Sequence, residues 1–181
     1  MQFTVINLSG AYLIDLEEYC DSRGSFARLF CAREFANRGL NATFVQCNLS
    51  FNRKKGTLRG MHYQVVPAAE TKAVYCLQGA IYDVIIDLRP ESPTYLSHCG
   101  VELSAENRRA LYIPEGFAHG FQTLADDTEV LYLMGAFYTP GCDRGVRYND
   151  PLFGIQWPLP VSEISEKDRT WPDFRASFPS R

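Results

Sequence analysis

Residues 72–88 set the terms for the fold. Lys72 to Leu77 and Ala80 to Leu88 are two runs rich in β-branched and aromatic residues, joined by Gln78-Gly79. They read as two strands and a tight turn. The second run, centred on Ile81-Tyr82-Asp83-Val84-Ile85-Ile86, stops at Arg89-Pro90-Glu91-Ser92-Pro93. The same short period continues on both sides. Thr43 to Cys47, Thr57 to Gln64, Tyr95 to Leu103, Arg109 to Ile113, Gly120 to Leu124 and Glu129 to Ala136 are strand candidates. Regular short strands with frequent turns predict an all-β sandwich or barrel. The 12 Phe and 10 Tyr beside 13 Gly and 10 Pro fit strands around a roomy, ring-lined interior. Ala32 to Arg38, closed by Gly39, is a short helix candidate.

A chain of 181 residues can bury one good core and is short for two. No internal repeat, low-complexity run or linker divides it, so residues 1–181 are expected to form one domain. Residues 150–181 carry more Pro and Trp, as in Gln156-Trp157-Pro158-Leu159-Pro160, and read as an irregular wrap over the core. The last residues, from about Ser177, are expected to fray. The net charge of −3 provides no basic field, which argues against nucleic acid as the main partner. An anionic ligand would need local Arg and Lys. No apolar run approaches the roughly 20 residues of a membrane helix, and no basic, apolar leader is recognisable at the N-terminus. The six cysteines (Cys20, Cys31, Cys47, Cys76, Cys99 and Cys142) are widely spaced without Cys-x-x-Cys clusters. They read as reduced, mostly buried thiols of a cytoplasmic protein.

The three histidines are His62, His98 and His119. His62 lies in Leu58-Arg59-Gly60-Met61-His62-Tyr63-Gln64, and His119 in Ile113-Pro114-Glu115-Gly116-Phe117-Ala118-His119-Gly120-Phe121. Their Gly and aromatic neighbours allow both to face a cavity, although a lone histidine is by default a hydrogen-bonded core residue. His98 has no such flanks and reads as structural. There is no His-x-His, and Glu70 is the only acidic residue within ten positions after His62. The tight ligand spacing of a barrel metal site is therefore missing, and His62 and His119 read as proton handlers. Arg23, Arg28, Arg59 and Lys72 are ordinary surface charges singly but could hold a diphosphate together. Arg59 and His62 are three positions apart, so a regular strand would turn them to opposite faces. A bulge near Gly60, or a strand end there, would bring them together. By itself, Tyr132 reads as a core aromatic with its hydroxyl satisfied. Asp168, in Ser165-Glu166-Lys167-Asp168, reads as a helix-start carboxylate or a surface charge.

Taken in chain order, several segments resemble the dTDP-4-dehydrorhamnose 3,5-epimerase family, a metal-independent branch of the cupin-like jelly rolls. They are Asp21-Ser22-Arg23-Gly24-Ser25-Phe26, Phe44-Val45-Gln46, the His62 segment, Leu103-Ser104-Ala105-Glu106-Asn107, the His119 segment, Tyr132, Tyr138 and Lys167-Asp168. The resemblance implies an all-β, cupin-like jelly-roll sandwich or barrel with short peripheral helices. It also implies a homodimer, a nucleotide-diphosphate sugar as substrate and no cofactor. His62 matches the base that removes a proton beside the sugar ketone, Asp168 the carboxylate that orients it, and Tyr132 the acid that returns a proton on the opposite face. Lys72 matches a residue near the ketone oxygen, with His119 beside it. Arg23 and Arg59 match ligand-binding positions, including the diphosphate, and Phe26 and Tyr138 match rings that flank the nucleobase. Gln46, Asn48, Asp143 and Lys167 complete the implied substrate-binding set. The chemistry needs such groups, because a C–H next to a ketone is acidic only through its enolate, whose oxygen needs a donor or cation.

Some positions depart from the family pattern. Arg28 stands where thymidine-linked members usually carry Glu. The N3–H of thymine suits a carboxylate, whereas the N3 and O2 acceptors of cytosine suit an arginine. Both bases remain open, depending on whether Arg28 points at the base. Cys47 replaces a common Asp, at a position expected in the pocket, and Leu49 replaces a His. The residues do not choose between inversion at C3, C5 or both. A sugar 3,4-ketoisomerase and a non-catalytic nucleotide-sugar-binding jelly roll are the competing readings. Tyr132 with Lys167-Asp168 favours the epimerase over the first, and His62, Tyr132 and Asp168 together favour it over the second.

Overall fold

A computed structural model describes residues 1–176; the fraying expected from Ser177 onward lies outside the described residues. The strands are β1 (Gln2–Val5), β2 (Tyr12–Asp15), β3 (Glu18–Asp21), β4 (Gly24–Ala27), β5 (Gln46–Asn52), β6 (Thr57–Gln64) and β7 (Lys72–Gln78). They continue with β8 (Ala80–Asp87), β9 (His98–Ser104), β10 (Arg109–Ile113), β11 (Phe117–Thr123), β12 (Thr128–Met134), β13 (Asp143–Gly145) and β14 (Glu163–Ile164). The helices are α1 (Ala32–Ala36) and α2 (Glu166–Arg169). One sheet has the order β1-β2-β10-β7-β12-β5 and the other β13-β6-β11-β8-β9, with β14 paired to β6. The two pack face to face as a cupin-like jelly roll, and β3 and β4 form a separate hairpin. Among the described residues, no helix is long and apolar enough to cross a membrane.

The link at Gln78-Gly79 does not make a hairpin. β7 pairs with β10 and β12, whereas β8 pairs with β9 and β11, so the link carries the chain from one sheet to the other. The period of two along β7 then serves two cores. Val74 and Cys76 join Ile81, Ile85, Leu103, Leu111, Phe117 and Val130 between the sheets. Ala73 and Tyr75 point the other way, onto Phe35 of α1. Each large apolar side chain buried in this way contributes about 1.5–3 kcal/mol relative to exposure.

The rings do not chiefly line an interior. Phe3, Phe30, Phe35, Phe44, Tyr12 and Tyr112 form an edge-to-face cluster, with centroids 5.0 to 6.4 Å apart, on the outer face of the first sheet. The outer face of the second sheet, with Met61, Val84, Ile86 and Ala118, is covered by Phe153, Ile155, Trp157 and Phe174 of the irregular C-terminal segment.

Two sequence expectations shift. Thr43 to Cys47 is replaced by Gln46–Asn52, an edge strand whose polar residues alternate with Cys47, Leu49 and Phe51, all three exposed. Its apolar set faces outward, the reverse of the usual pattern. β1 to β4 have only four residues each, too few for a pattern to be read; β1, β3 and β4 are also mostly exposed, whereas β2 is partly buried around Ile14. The helix keeps its place but ends at Ala36, with Gly39 just beyond it in the left-handed region.

Candidate active site

Between the sheets, inward-facing side chains change from apolar to polar on moving towards β12, β5, β6 and β11. The polar side encloses an open cleft of about 840 Å³. Gln46, Asn48, Arg59, His62, Lys72, His119, Tyr132, Tyr138, Asp143, Lys167 and Asp168 all line it. This brings together most of the residues singled out in the sequence.

The Arg59–His62 parity problem is resolved by a bulge on β6. His62 pairs with His119 and Arg59 with Phe121, so three steps on β6 oppose two on β11. The extra residue lies at Gly60-Met61, whose peptide bond is cis. Gly60 has φ +121, and a Cβ there would come within 2.8 Å of the His119 carbonyl oxygen, so both backbone conformation and close approach require glycine. Arg59 and His62 consequently both reach the cleft, while Met61 enters the core behind it.

His62 Nε2 lies 2.6 Å from Asp168 Oδ1. The imidazole is open to the cleft, with 44% of its side chain exposed, whereas the Asp168 side chain is 6% exposed. Asp168 is delivered by α2, whose N-cap Ser165 accepts from the Asp168 N–H at 3.1 Å. Its Oδ2 accepts from the Gly60 N–H at 3.1 Å. Burial alone would raise the Asp168 carboxyl, but the His62 hydrogen bond and charge, with the Gly60 and Ser165 contacts, hold it below the usual range. Asp168 is thus a buried, ionised partner and not a surface charge.

Opposite His62 stands a second pair, His119 Nε2 to Asp83 Oδ1 at 2.7 Å, almost wholly buried. The His119 ring meets Tyr132 edge-on, with centroids 6.1 Å apart. Burial, and then the charge of Asp83, push the Tyr132 hydroxyl well above the usual phenol range; Arg59 pulls it back only partly. Tyr132 therefore keeps its proton at neutral pH. Lys72 is buried beneath the cleft, with Nζ 3.1 Å from Glu70 Oε1 and donating to the His62 carbonyl at 3.3 Å. Arg59 Nε donates to Asn52 Oδ1 at 2.7 Å, which aims the guanidinium. At the mouth, the Tyr138 N–H donates to Gln46 Oε1 and Thr139 N–H to Gln64 Oε1, both at 2.8 Å. Lys167 Nζ lies 2.7 Å from Asp143 Oδ2.

Three expected residues lie elsewhere. Arg23, Phe26 and Arg28 belong to or follow the β3–β4 hairpin, which projects from the sandwich, and none of them lines this cleft. Arg23 folds back onto Asp21, and its hydrogen bonds hold that carboxyl below the usual range. Phe26 is 67% exposed. Arg28 Nη1 stands 3.8 Å from Glu34 Oε1, and both line a separate, small cavity of about 200 Å³. Cys47 is a further correction: strand alternation turns it away from Gln46 and Asn48, and it does not line the cleft.

Asp83, Glu70 and Asn52 are site residues that sequence reasoning missed. Asp83 had a readable signal, since an acid inside Ile81-Tyr82-Asp83-Val84-Ile85 must find a partner if the strand is buried. Among the described residues, no three His, Cys, Asp or Glu side chains group as a metal site.

A jelly roll with paired imidazole, carboxylate and phenol groups around a cleft has the side-chain types that an isomerase-class site requires. The family model for dTDP-4-dehydrorhamnose 3,5-epimerase matches residues 5–176. The chain belongs to the dTDP-4-dehydrorhamnose 3,5-epimerase family. It is 44% identical over 177 residues to the dTDP-4-dehydrorhamnose 3,5-epimerase of Methanothermobacter thermautotrophicus, covering 96% of this chain and 95% of the relative. The crystal structure of the Bacillus anthracis enzyme, with TDP and pyrophosphate bound, has a TM-score of 0.92 at 40% identity, covering 96% of this chain and 99% of that one. A 3'-monoepimerase from Streptomyces bikiniensis in complex with dTDP-quinovose has a TM-score of 0.86 at 30% identity, covering 93% and 85%.

Proposed function

We propose that this protein inverts C3, C5 or both centres of a dTDP-linked 4-keto-6-deoxyhexose in deoxysugar biosynthesis. The observation that carries the reading is the single cleft that holds His62–Asp168 on one strand system and neutral Tyr132 on the facing one. His62 gives one nitrogen to Asp168 and has the other for the carbon acid. Asp168 fixes the ring and stabilises the imidazolium that forms. Tyr132 returns a proton from the other side. Lys72, with His119, stabilises the enolate oxygen, and the buried setting strengthens that contact. Inversion balances without a redox step, since one C–H bond breaks and one forms on the opposite face.

Arg59, Lys167 and the Tyr138 ring form the nucleotide end of the cleft. The neighbours with bound TDP and dTDP-quinovose support thymidine as the carrier, and Arg28 lies at Glu34, outside this cleft. The projecting hairpin supports a homodimer in which Arg23 and Phe26 complete the partner's cleft. A cytoplasmic setting suits six free thiols.

The test is incubation with dTDP- and CDP-4-keto-6-deoxyglucose in deuterated water. Deuterium at C3, C5 or both of the dTDP sugar is expected, and its position reports the centre. A ketone moved to C3 would identify a ketoisomerase. Nucleotide binding without exchange would leave a binding module, and tighter binding of CDP than of dTDP would overturn the base assignment.

A further inference from the structure

We propose that Trp171 is a positioning residue of this site: its indole, seated on Gly145, holds Asp168 against His62. The proposal rests on the reading of His62 and Asp168 as the proton-removing pair. Asp168 lies on α2, which has only four residues. So short a helix has no stability of its own and takes its place from tertiary contacts. Its start is tied by the Ser165 cap. Its far end runs into Trp171, three residues beyond Asp168.

The indole lies where a side chain at Gly145 would be. A methyl group built on Gly145 would overlap both the ring nitrogen and the ring junction of Trp171. Gly145 does not have a positive φ, so close approach, not backbone freedom, is what glycine provides there. Gly145 is also the β13 residue that pairs with His62. The indole thus rests on the strand position beside the base itself. Lys167 closes the same seam, with Nζ 5.4 Å from the Trp171 ring centroid and 2.7 Å from Asp143 Oδ2.

The indole N–H shows which property of Trp171 matters. Nε1 is buried and has no hydrogen-bond partner among the described residues. A buried tryptophan N–H ordinarily finds one. Here the flat ring is used for its shape, and its polar atom contributes nothing to the seam. Phenylalanine should therefore replace it, and alanine should not.

The experiment compares Trp171→Ala, Trp171→Phe, Gly145→Ala, Asp168→Asn and the double variant Trp171→Ala/Asp168→Asn. Each is assayed for kcat and KM with dTDP-4-keto-6-deoxyglucose and for dTDP affinity by calorimetry. W171A and G145A should each lower kcat about 10- to 100-fold, the scale of an ångström misplacement. Their dTDP affinity should stay within about threefold, which shows a folded cleft. W171F should restore most of the kcat lost in W171A. In the D168N background, W171A should add less than about twofold, because residues acting through one another are not additive. Full kcat in W171A beside an impaired D168N would overturn this proposal alone. So would W171F as damaged as W171A, a fully multiplicative double variant, or loss of dTDP binding in both W171A and G145A, which marks a structural role. Full kcat in D168N would overturn the reading of the pair, and this proposal with it.

Discussion

His62–Asp168 and His119–Asp83 are the same chemical pair, with nitrogen–oxygen distances of 2.6 and 2.7 Å. The two histidines face each other across β6 and β11. They differ in access. His62 opens to the cleft, whereas His119 and Asp83 are 4% and 0% exposed. They also differ in how the carboxylate arrives. Asp83 sits on a central strand that the core holds on both faces. Asp168 comes from a four-residue helix 106 positions along the chain, held by a cap and a ring. Hydrogen-bond length therefore does not distinguish a proton-transfer pair from a wall of the site. Exposure does separate the two pairs, and on the proposed reading the less rigidly built pair is the one that meets the substrate.

The largest effect expected from this contrast is on His62. His62→Asn should lower kcat and deuterium exchange by about 10³- to 10⁴-fold, the upper scale of general acid–base catalysis. His119→Asn should cost an order of magnitude less and should act on KM as well. Equal losses in kcat would break the distinction. Next comes Tyr132→Phe, which removes the second-face donor and leaves the base. Inverted product should fall by about 10²-fold, while exchange of the abstracted proton with deuterated water continues. Loss of exchange along with inversion would place Tyr132 on the same side as His62.

Stability should rank the pairs the other way. Asp83→Asn disturbs a buried partner of His119 and should destabilise folding by about 1–3 kcal/mol, read as a lower urea midpoint at constant slope. Asp168→Asn should lose activity with a smaller shift in midpoint. The smallest effect is in the pH dependence. The Asp168 carboxyl is held below its ordinary value of 3.8 in the folded protein. Its contribution to stability is therefore fully present above that value and fades as pH falls through the lower, folded one. The gap in urea midpoint between wild type and D168N should narrow below pH 3.8. A gap that widens on acidification would contradict the assignment.

Much of this was legible in the chain. Thr57–Gln64 and Arg109–Ile113 are strands with the boundaries read from sequence, because period-two patterning and β-branched residues act locally. His62 and His119 stood out by their segments, Lys72 and Tyr132 took their roles only through the family resemblance, and the cleft contains all four. β5 was misplaced because its polar residues face inward to the ligand space, which inverts the pattern. Glu70 was noticed only as a failed metal ligand, yet it holds Lys72.

The sequence by itself determined the strand-rich character, the proton-handling residue types and the family they resemble, since local conformational preference and residue chemistry are written position by position. Only the tertiary structure decided that Arg59 and His62 share one face through the Gly60 bulge and that Asp83 belongs to the site. It also placed Arg23, Phe26 and Arg28 outside this chain's cleft. These outcomes depend on register across paired strands and on contacts between segments tens of residues apart. Two sheets must pack before those energies exist, and no local window of the chain contains them.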